Sequence, residues 1–483
     1  QYMIATHKVK TGDQKTIGFM IDDVFYTNYY IRQYIQDIDN LSLQENGMPE
    51  AEKELPELDY KKVFIDKEYE KLVTENPFVR DVQDELLAWK EDKLHQVLQL
   101  EGTRQVGKTT ELLKFAYKNY EFVIYVSLAA DSYDFQEVVR NGSTPLAFES
   151  YCRRAGLPSF ANGKNTILII DEIQLSQKVY NAIRTLNRNV NCDIIVTGSY
   201  LGQTIMGGYF LPAGTVSYVK MYPLSFAEFC RIYDKDSLLE KIDLFGASEQ
   251  SEYDALFALY DIYRRIGGYP AVIKKYVESG NYHECYQVIA DLLNTFEKES
   301  RNYFQTSKEP IIFKSVYREA MIAMCRERKG SGNKIVELVT NIVKSSEKLL
   351  VSRDEISNAK TWLIYSGIIG ECGCYIDGDI MAYRPARRLY YMDCGIAGYI
   401  GADTEVEQGN IEGVLTETFV FAELYRLFTE RFSKSKVKGD TPCFSIIGQN
   451  ELDFMLFDRE NRSYGIEVKT NDGAPKSLRV YMD

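Results

Sequence analysis

The chain predicts an α/β fold, a parallel sheet covered by helices on both faces, and three observations predict it. Between His95 and Tyr222 short apolar runs rich in β-branched residues alternate with helical stretches, the pattern that strand–crossover–strand units leave in a sequence. A glycine-rich turn, Gly102 to Thr109, joins the first run to the first helical stretch. A later run ends in two adjacent carboxylates, Asp171 and Glu172. The strand candidates are Val97 to Glu101, Phe122 to Ser127, Ile167 to Ile170, Ile194 to Thr197 and Val216 to Met221.

Around this core the elements follow in order. Gly12-Asp13 separates Ile4 to Val9 from Thr16 to Met20, which predicts a hairpin, and Tyr26 to Tyr34 reads as helical. An acidic, proline-punctuated stretch from Asn46 to Tyr60 reads as a linker. From Ser225 to about Phe304 apolar residues recur at helical spacing (Phe226, Phe229, Leu256, Leu259, Tyr260, Tyr263), broken at Gly267-Gly-Tyr-Pro270. From about Ile311 the pattern is helical until Gly367; Asp377-Gly378 then marks a hairpin between Gly373 to Ile376 and Ile380 to Tyr383, so the segment reads as winged-helix-like. The last segment reads as a helix, Leu415 to Arg431, and three strands, Cys443 to Ile447, Leu452 to Phe457 and Tyr464 to Thr470. The expected divisions are 1–75, an N-terminal region without assigned chemistry; 76–224, the sheet; 225–310, a helical lid; 311–402, the winged-helix-like module; and 403–483, a small α/β domain.

Composition narrows the function classes. With 483 residues, 45% apolar and 26% charged, the chain suits roughly three soluble domains. No apolar stretch approaches the roughly 18 residues that span a bilayer, and no basic-then-apolar signal opens the chain; the expectation is a cytoplasmic protein with no membrane partner. Nine cysteines among three histidines show no paired zinc spacing, which fits a reduced compartment. A net charge of -13 argues against gripping nucleic acid by bulk charge. Basic residues do gather between Lys308 and Arg353 and again at Arg384, Arg387 and Arg388, where solvated helix faces are the simpler explanation.

Gly102, Thr103, Arg104, Gln105, Val106, Gly107, Lys108 and Thr109 fit G-x-x-x-x-G-K-[ST] between a strand and a helix, and Thr110 continues the helix. Backbone N–H groups of such a loop wrap phosphate, Lys108 counters the β/γ charge, and Thr109 ligates Mg²⁺. ATP and Mg²⁺ are therefore the expected ligands. The run Ile167-Leu-Ile-Ile170 delivers Asp171 to hold the magnesium and Glu172 to polarise the attacking water. A third run ends in Thr197-Gly198-Ser199, whose hydroxyls lie beside the γ-phosphate if its strand falls between the other two; Ser199 is the catalytic candidate there. A glutamate after the aspartate and the strand Phe122 to Ser127 favour an ATPase with an inserted strand over a nucleotide kinase.

These residues, with Ile170-Asp-Glu-Ile-Gln174, Tyr222-Pro-Leu-Ser-Phe-Ala-Glu-Phe229, Gly267-Gly-Tyr-Pro270, Arg388-Leu-Tyr-Tyr-Met-Asp393-Cys-Gly395, Glu417, Glu451-Leu-Asp453-Phe and Glu467-Val-Lys469, resemble a large prokaryotic family of AAA-type ATPases joined to a C-terminal domain of unknown function. The resemblance covers about Leu98 to the end. It implies a P-loop core with an inserted strand, a helical lid, a winged-helix-like middle and a PD-(D/E)XK nuclease-like end, active or degenerate. Relatives carry a Gly-Arg pair before Pro-Leu-Ser-Phe, whereas here Gly214 precedes Thr215; another source of transition-state charge would be Arg184, Arg188, Arg264 or Arg265.

In the C-terminal segment strand alternation places Glu451 and Asp453 on one face, and Glu467 and Lys469 on one face of the next strand. Glu417 shares the apolar side of its helix with Val420, Phe421, Leu424, Leu427 and Phe428. A cation held by Glu417, Asp453 and Glu467, with Lys469 orienting a water, would make a nuclease-like site. The plainer alternative is cross-strand ion pairing of Glu451 or Asp453 with Lys469. A fold of this kind needs a further helix and strand beyond the third strand to close its sheet. Two functions follow: an ATPase whose nucleotide state drives a DNA-acting domain, or a non-catalytic ATP-dependent switch that binds a protein partner. The oligomeric state stays open.

Overall fold

A computed structural model describes residues 2–6, 18–21, 24–27, 76–92, 96–131, 133–157, 160–198, 214–243, 248–300, 309–326, 353–376, 379–380, 388–404, 408–429, 437, 441–447 and 450–469. The described residues fall into two compact units, one within Glu50–Tyr222, the other drawn from Gln1–Pro49, Pro223–Thr429 and Ser435–Asp483. In chain order the strands begin with β1 (Tyr2–Thr6), β2 (Gly18–Ile21) and β3 (Val24–Thr27) of the second unit.

The first unit holds β4 (Val97–Gly102), β5 (Phe122–Ser127), β6 (Thr166–Asp171), β7 (Asp193–Thr197) and β8 (Val216–Met221). Their order is β5-β6-β7-β4-β8, with every neighbouring pair parallel. β6 and β7 are buried along their whole length, which is why both read as unbroken apolar runs rather than alternating ones. The helix Lys108–Asn119 follows β4 and buries Leu112, Leu113, Phe115 and Ala116. On the helix Pro145–Ala155, the Thr144 hydroxyl accepts from Ala147 N–H at the start and Gly156 at φ 67 ends it. That helix sends Phe148 and Tyr151 into a core with Phe135, Ile124, Leu168, Ile170 and Ile194.

In the second unit the helices Phe226–Arg231, Asp236–Lys241, Gln250–Ile266, Pro270–Ser279 and Tyr282–Ser300 occupy the stretch expected to be helical, and Gly267 to Tyr269 fall between two of them. Later come Glu309–Arg326, Arg353–Tyr365, Cys394–Ala402 and Gln408–Thr429. The strands β9 (Ile369–Ile376), β10 (Asp379–Ile380), β11 (Arg388–Tyr391), β12 (Cys443–Ile447), β13 (Asn450–Phe457) and β14 (Ser463–Lys469) join β1 to β3 in one sheet of order β10-β9-β12-β13-β14-β1-β2-β3, with β11 also on β9.

This topology changes several expectations. β9 and β10 form the expected hairpin, yet β9 pairs in parallel with β12 on its other edge. The wing and the C-terminal strands therefore share one sheet, and the expected division at 402/403 does not divide it. β3 pairs antiparallel with β2 through Tyr26 and Thr27, where the sequence reading placed a helix; Val24-Phe-Tyr-Thr27 is composed of strand-favouring residues. Residues 28–34, like the linker 46–60, lie outside the described residues. β1 pairs antiparallel with β14, Ile4 opposite Glu467, so the edge left open in the sequence reading is covered from the N-terminal segment. Cys152, Cys192, Cys230, Cys285, Cys372, Cys374, Cys394 and Cys443 are buried thiols.

Candidate functional site

The glycine-rich turn is built by two glycines. Gly102, at φ 155, ends β4 where a Cβ would lie 2.2 Å from the Met221 carbonyl oxygen, so no larger residue fits. Gly107, at φ 98, starts the helix Lys108–Asn119 from the left-handed region, which glycine enters without steric cost. Between them Thr103 and Val106 are buried while Arg104 and Gln105 are exposed, and Gln105 also has positive φ. The Lys108 ammonium is folded back over the turn, donating to the carbonyls of Gly102 and Thr103, each at 2.8 Å. Thr110 is buried beneath the helix start.

Asp171, at the end of β6, is the meeting point of the site. Its Oδ2 accepts from Thr109 Oγ1 at 2.7 Å and from the Tyr125 hydroxyl on β5 at 2.8 Å, and its Oδ1 accepts from Glu172 N–H at 2.7 Å. Thr109 and Asp171, each expected at a magnesium ion, meet across two elements 62 residues apart. Glu172 stands at φ 52, a conformation that non-glycine residues hold only where their surroundings enforce it. Its carboxylate accepts from the buried Gln174 side-chain amide, which fixes its direction.

β7 lies between β4 and β6, where the sequence reading required it. The Thr197 hydroxyl does not face a phosphate, however: it donates to the Leu100 carbonyl at 2.9 Å and ties β7 to the strand that carries the turn. Ser199 lies outside the described residues. Of the four arginines considered, Arg184 and Arg188 are exposed on the helix Ile183–Asn189. Arg264 and Arg265 both bind Asp261, at 2.7 and 2.8 Å, in the second unit. Two residues beside the turn escaped the sequence reading. Tyr125 sits in a strand whose apolar pattern marks only the strand. Arg80 is buried, donating to the carbonyls of Val106 at 3.0 Å and Tyr222 at 2.6 Å, and no pattern in the sequence marks it.

Comparison with known proteins follows this geometry. Residues 94–230 match the family described as AAA domain. This stretch is similar to an AAA domain. The matched stretch spans all five parallel strands, the turn and Asp171-Glu172, and ends at Cys230, just past Pro223-Leu-Ser-Phe-Ala-Glu-Phe229. Among solved structures the chain is similar to a Walker-type ATPase of Pyrococcus abyssi, 13% identical with a TM-score of 0.43, covering 67% of this chain and 95% of that one. It is also similar to the Aeropyrum pernix ORC1 protein in complex with DNA, 15% identical with a TM-score of 0.30, covering 71% and 94%. An uncharacterised protein of Haemophilus influenzae is 26% identical over 213 residues, 38% of this chain and 44% of that protein, so the match spans less than half of the relative. Among the described residues no helix is long and apolar enough to cross a membrane.

The second cluster lies on the C-terminal sheet. Glu417, on the helix Gln408–Thr429, accepts from the Tyr390 hydroxyl at 3.1 Å, and Tyr390 stacks on Phe421 one turn further along. Between Cys443 and Ser445 the β12–β13 register slips by one, so Asp453 and Phe454 together oppose Phe444. The bulge leaves two residues of β13 facing one residue of β12 at this point. Asp453 accepts from Val468 N–H at 2.6 Å; burial and the neighbouring Glu417 carboxylate push it up to about 7. The anticipated cross-strand pairs do not form. Lys469 pairs with Glu467 of its own strand at 2.6 Å, and Glu451 pairs with Arg388. Among the described residues no three His, Cys, Asp or Glu side chains form a group that could hold a metal ion. Glu417, Asp453 and Glu467 are already engaged, by Tyr390, Val468 and Lys469 respectively.

Proposed function

We propose that the chain binds ATP with Mg²⁺ in its AAA domain, hydrolyses it to ADP and phosphate, and uses nucleotide state to set how the C-terminal unit engages a partner. The observation that carries this reading is the junction at Asp171, where a strand-end carboxylate and the hydroxyl following the P-loop lysine come within 2.7 Å. A hydroxyl and a carboxylate are the hard oxygen donors that magnesium takes beside a phosphate chain, so Thr109 and Asp171 fit the ion. When bound, it neutralises charge on the phosphate oxygens.

The chain's own groups do the rest. Backbone N–H groups of residues 103–108 bind the phosphates, and Lys108 exchanges its two carbonyl partners for phosphate oxygens. Glu172, held by Gln174, accepts the proton of the attacking water at its carboxylate. Glu172→Gln should retain ATP affinity and lose about a hundredfold or more in phosphate release; turnover equal to wild type would contradict hydrolysis by this route.

For the C-terminal unit the engaged state of Glu467 and Lys469 and the net charge of -13 support binding to a protein partner without cleavage. A nuclease-like, DNA-acting reading has one observation in its favour, the Glu417 carboxylate acting on the buried Asp453. Mg²⁺-dependent cleavage of plasmid DNA that disappears in Asp453→Ala would decide for it; no cleavage and no salt-sensitive retention of DNA would decide against it.

A further inference from the structure

The geometry points to Arg80 as a positioning residue for the phosphate cradle, one that fixes the orientation of the Val106–Gly107 peptide. This inference rests on the ATP-binding reading of the same site. A peptide unit is planar and trans, so the Val106 carbonyl and the Gly107 N–H point in opposite directions. One arm of the Arg80 guanidinium holds the Val106 carbonyl at 3.0 Å, and the other holds the Tyr222 carbonyl at 2.6 Å, immediately beyond β8. With the carbonyl held toward Arg80, the Gly107 N–H is turned away from Arg80 and is available to an anion in the turn. Gly107 itself offers little resistance to rotation of that peptide, so the restraint has to come from outside the loop.

The same strand end restrains the loop twice. Met221 abuts Gly102 at the start of the turn, and Tyr222, through Arg80, holds Val106 near its end. The segment carrying Arg80 is in turn fastened to the helix that the turn begins. Lys114 Nζ donates to the Phe78 carbonyl at 2.9 Å, and Gln83 Nε2 donates to the Glu111 carbonyl at 2.9 Å and its carboxylate at 2.8 Å. Arg80 is buried and its planar fork spans both carbonyls; a lysine in its place, with one compact ammonium, reaches one of them well.

The test measures ATP and ADP affinity, kcat and KM for wild type, Lys108→Ala, Arg80→Gln and Arg80→Lys. Losing one well-aimed donor to a phosphate oxygen should weaken ATP and ADP equally, by about tenfold in Arg80→Gln, with kcat within about threefold of wild type and an intermediate loss in Arg80→Lys. Unchanged affinity in both Arg80 variants, or a fall in kcat at unchanged affinity, overturns the proposal. If Arg80→Gln does not fold, Arg80→Lys decides alone by the same criteria. A wild type that binds no ATP overturns the cradle itself; a wild type that binds, beside a Lys108→Ala that does not and Arg80 variants that bind normally, overturns only the role of Arg80.

Discussion

At Asp171 one carboxylate oxygen accepts two hydroxyls, and only Thr109 belongs to the recognisable motif. Tyr125 restrains the carboxylate from the neighbouring strand, the position of an outer-shell partner whose loss typically costs 10- to 100-fold in metal affinity. Tyr125→Phe should therefore raise the Mg²⁺ concentration needed for half-maximal ATP hydrolysis by about tenfold, read from a magnesium titration at saturating ATP. Asp453 allows a pH prediction. Its carboxyl is raised from 3.8 to about 7 by burial and by Glu417, so its contribution to stability is full below about pH 4 and is lost as pH rises through 7. Asp453→Asn, uncharged throughout, should gain stability relative to wild type between pH 5 and pH 8 in urea unfolding; a gap that stays constant across that range would contradict the shift.

Short motifs that the sequence shows far apart turn out to be parts of one joint. Leu224 of Pro-Leu-Ser-Phe donates its N–H to the Gly268 carbonyl at 2.7 Å, while Gly268 N–H donates to Asp393 Oδ2 at 2.7 Å. Asp393 Oδ1 accepts from Ile396 N–H and caps the helix Cys394–Ala402. Ser225 and Glu228 form a reciprocal cap on the helix Phe226–Arg231, and Ser225→Ala should cost about 1 kcal/mol in thermal or urea unfolding. Phe419 is packed by Phe226, Tyr260 and Tyr263 with centroids 4.8 to 6.0 Å away; Phe419→Ala should cost about 3–5 kcal/mol. The central strands β6 and β7 were legible because burial on both faces demands unbroken apolar runs. The β9–β12 pairing was not, since Cys443 meets Gly373 across 70 residues and neither strand's pattern names its partner. Tyr26 and Thr27, expected to open a helix, belong instead to β3, because a run as short as Val24–Thr27 satisfies either period.

On the scale of the molecule, the phosphate site was readable because its chemistry prescribes residue types at fixed spacing: glycines at 102 and 107, lysine at 108, a strand-end acid at 171. Tyr125 and Arg80 act through a side chain that meets the site only after folding, and position in the chain gives no hint of it. The acid cluster was legible as a set of residues but not as an arrangement, because the partners of its acids, Tyr390 for Glu417, Val468 N–H for Asp453 and Arg388 for Glu451, come from other strands. Nucleotide binding should also stabilise the chain by mass action, by about 2.7 kcal/mol at a hundredfold excess over Kd, seen as a melting transition that rises with ATP and Mg²⁺ in wild type and not in Lys108→Ala. The most direct measurement is an equilibrium titration of the purified chain with ATP in the presence of Mg²⁺. Saturable binding at one site, weakened at least a hundredfold by Lys108→Ala, is the predicted result; no binding at millimolar ATP, or equal binding by both proteins, would contradict it.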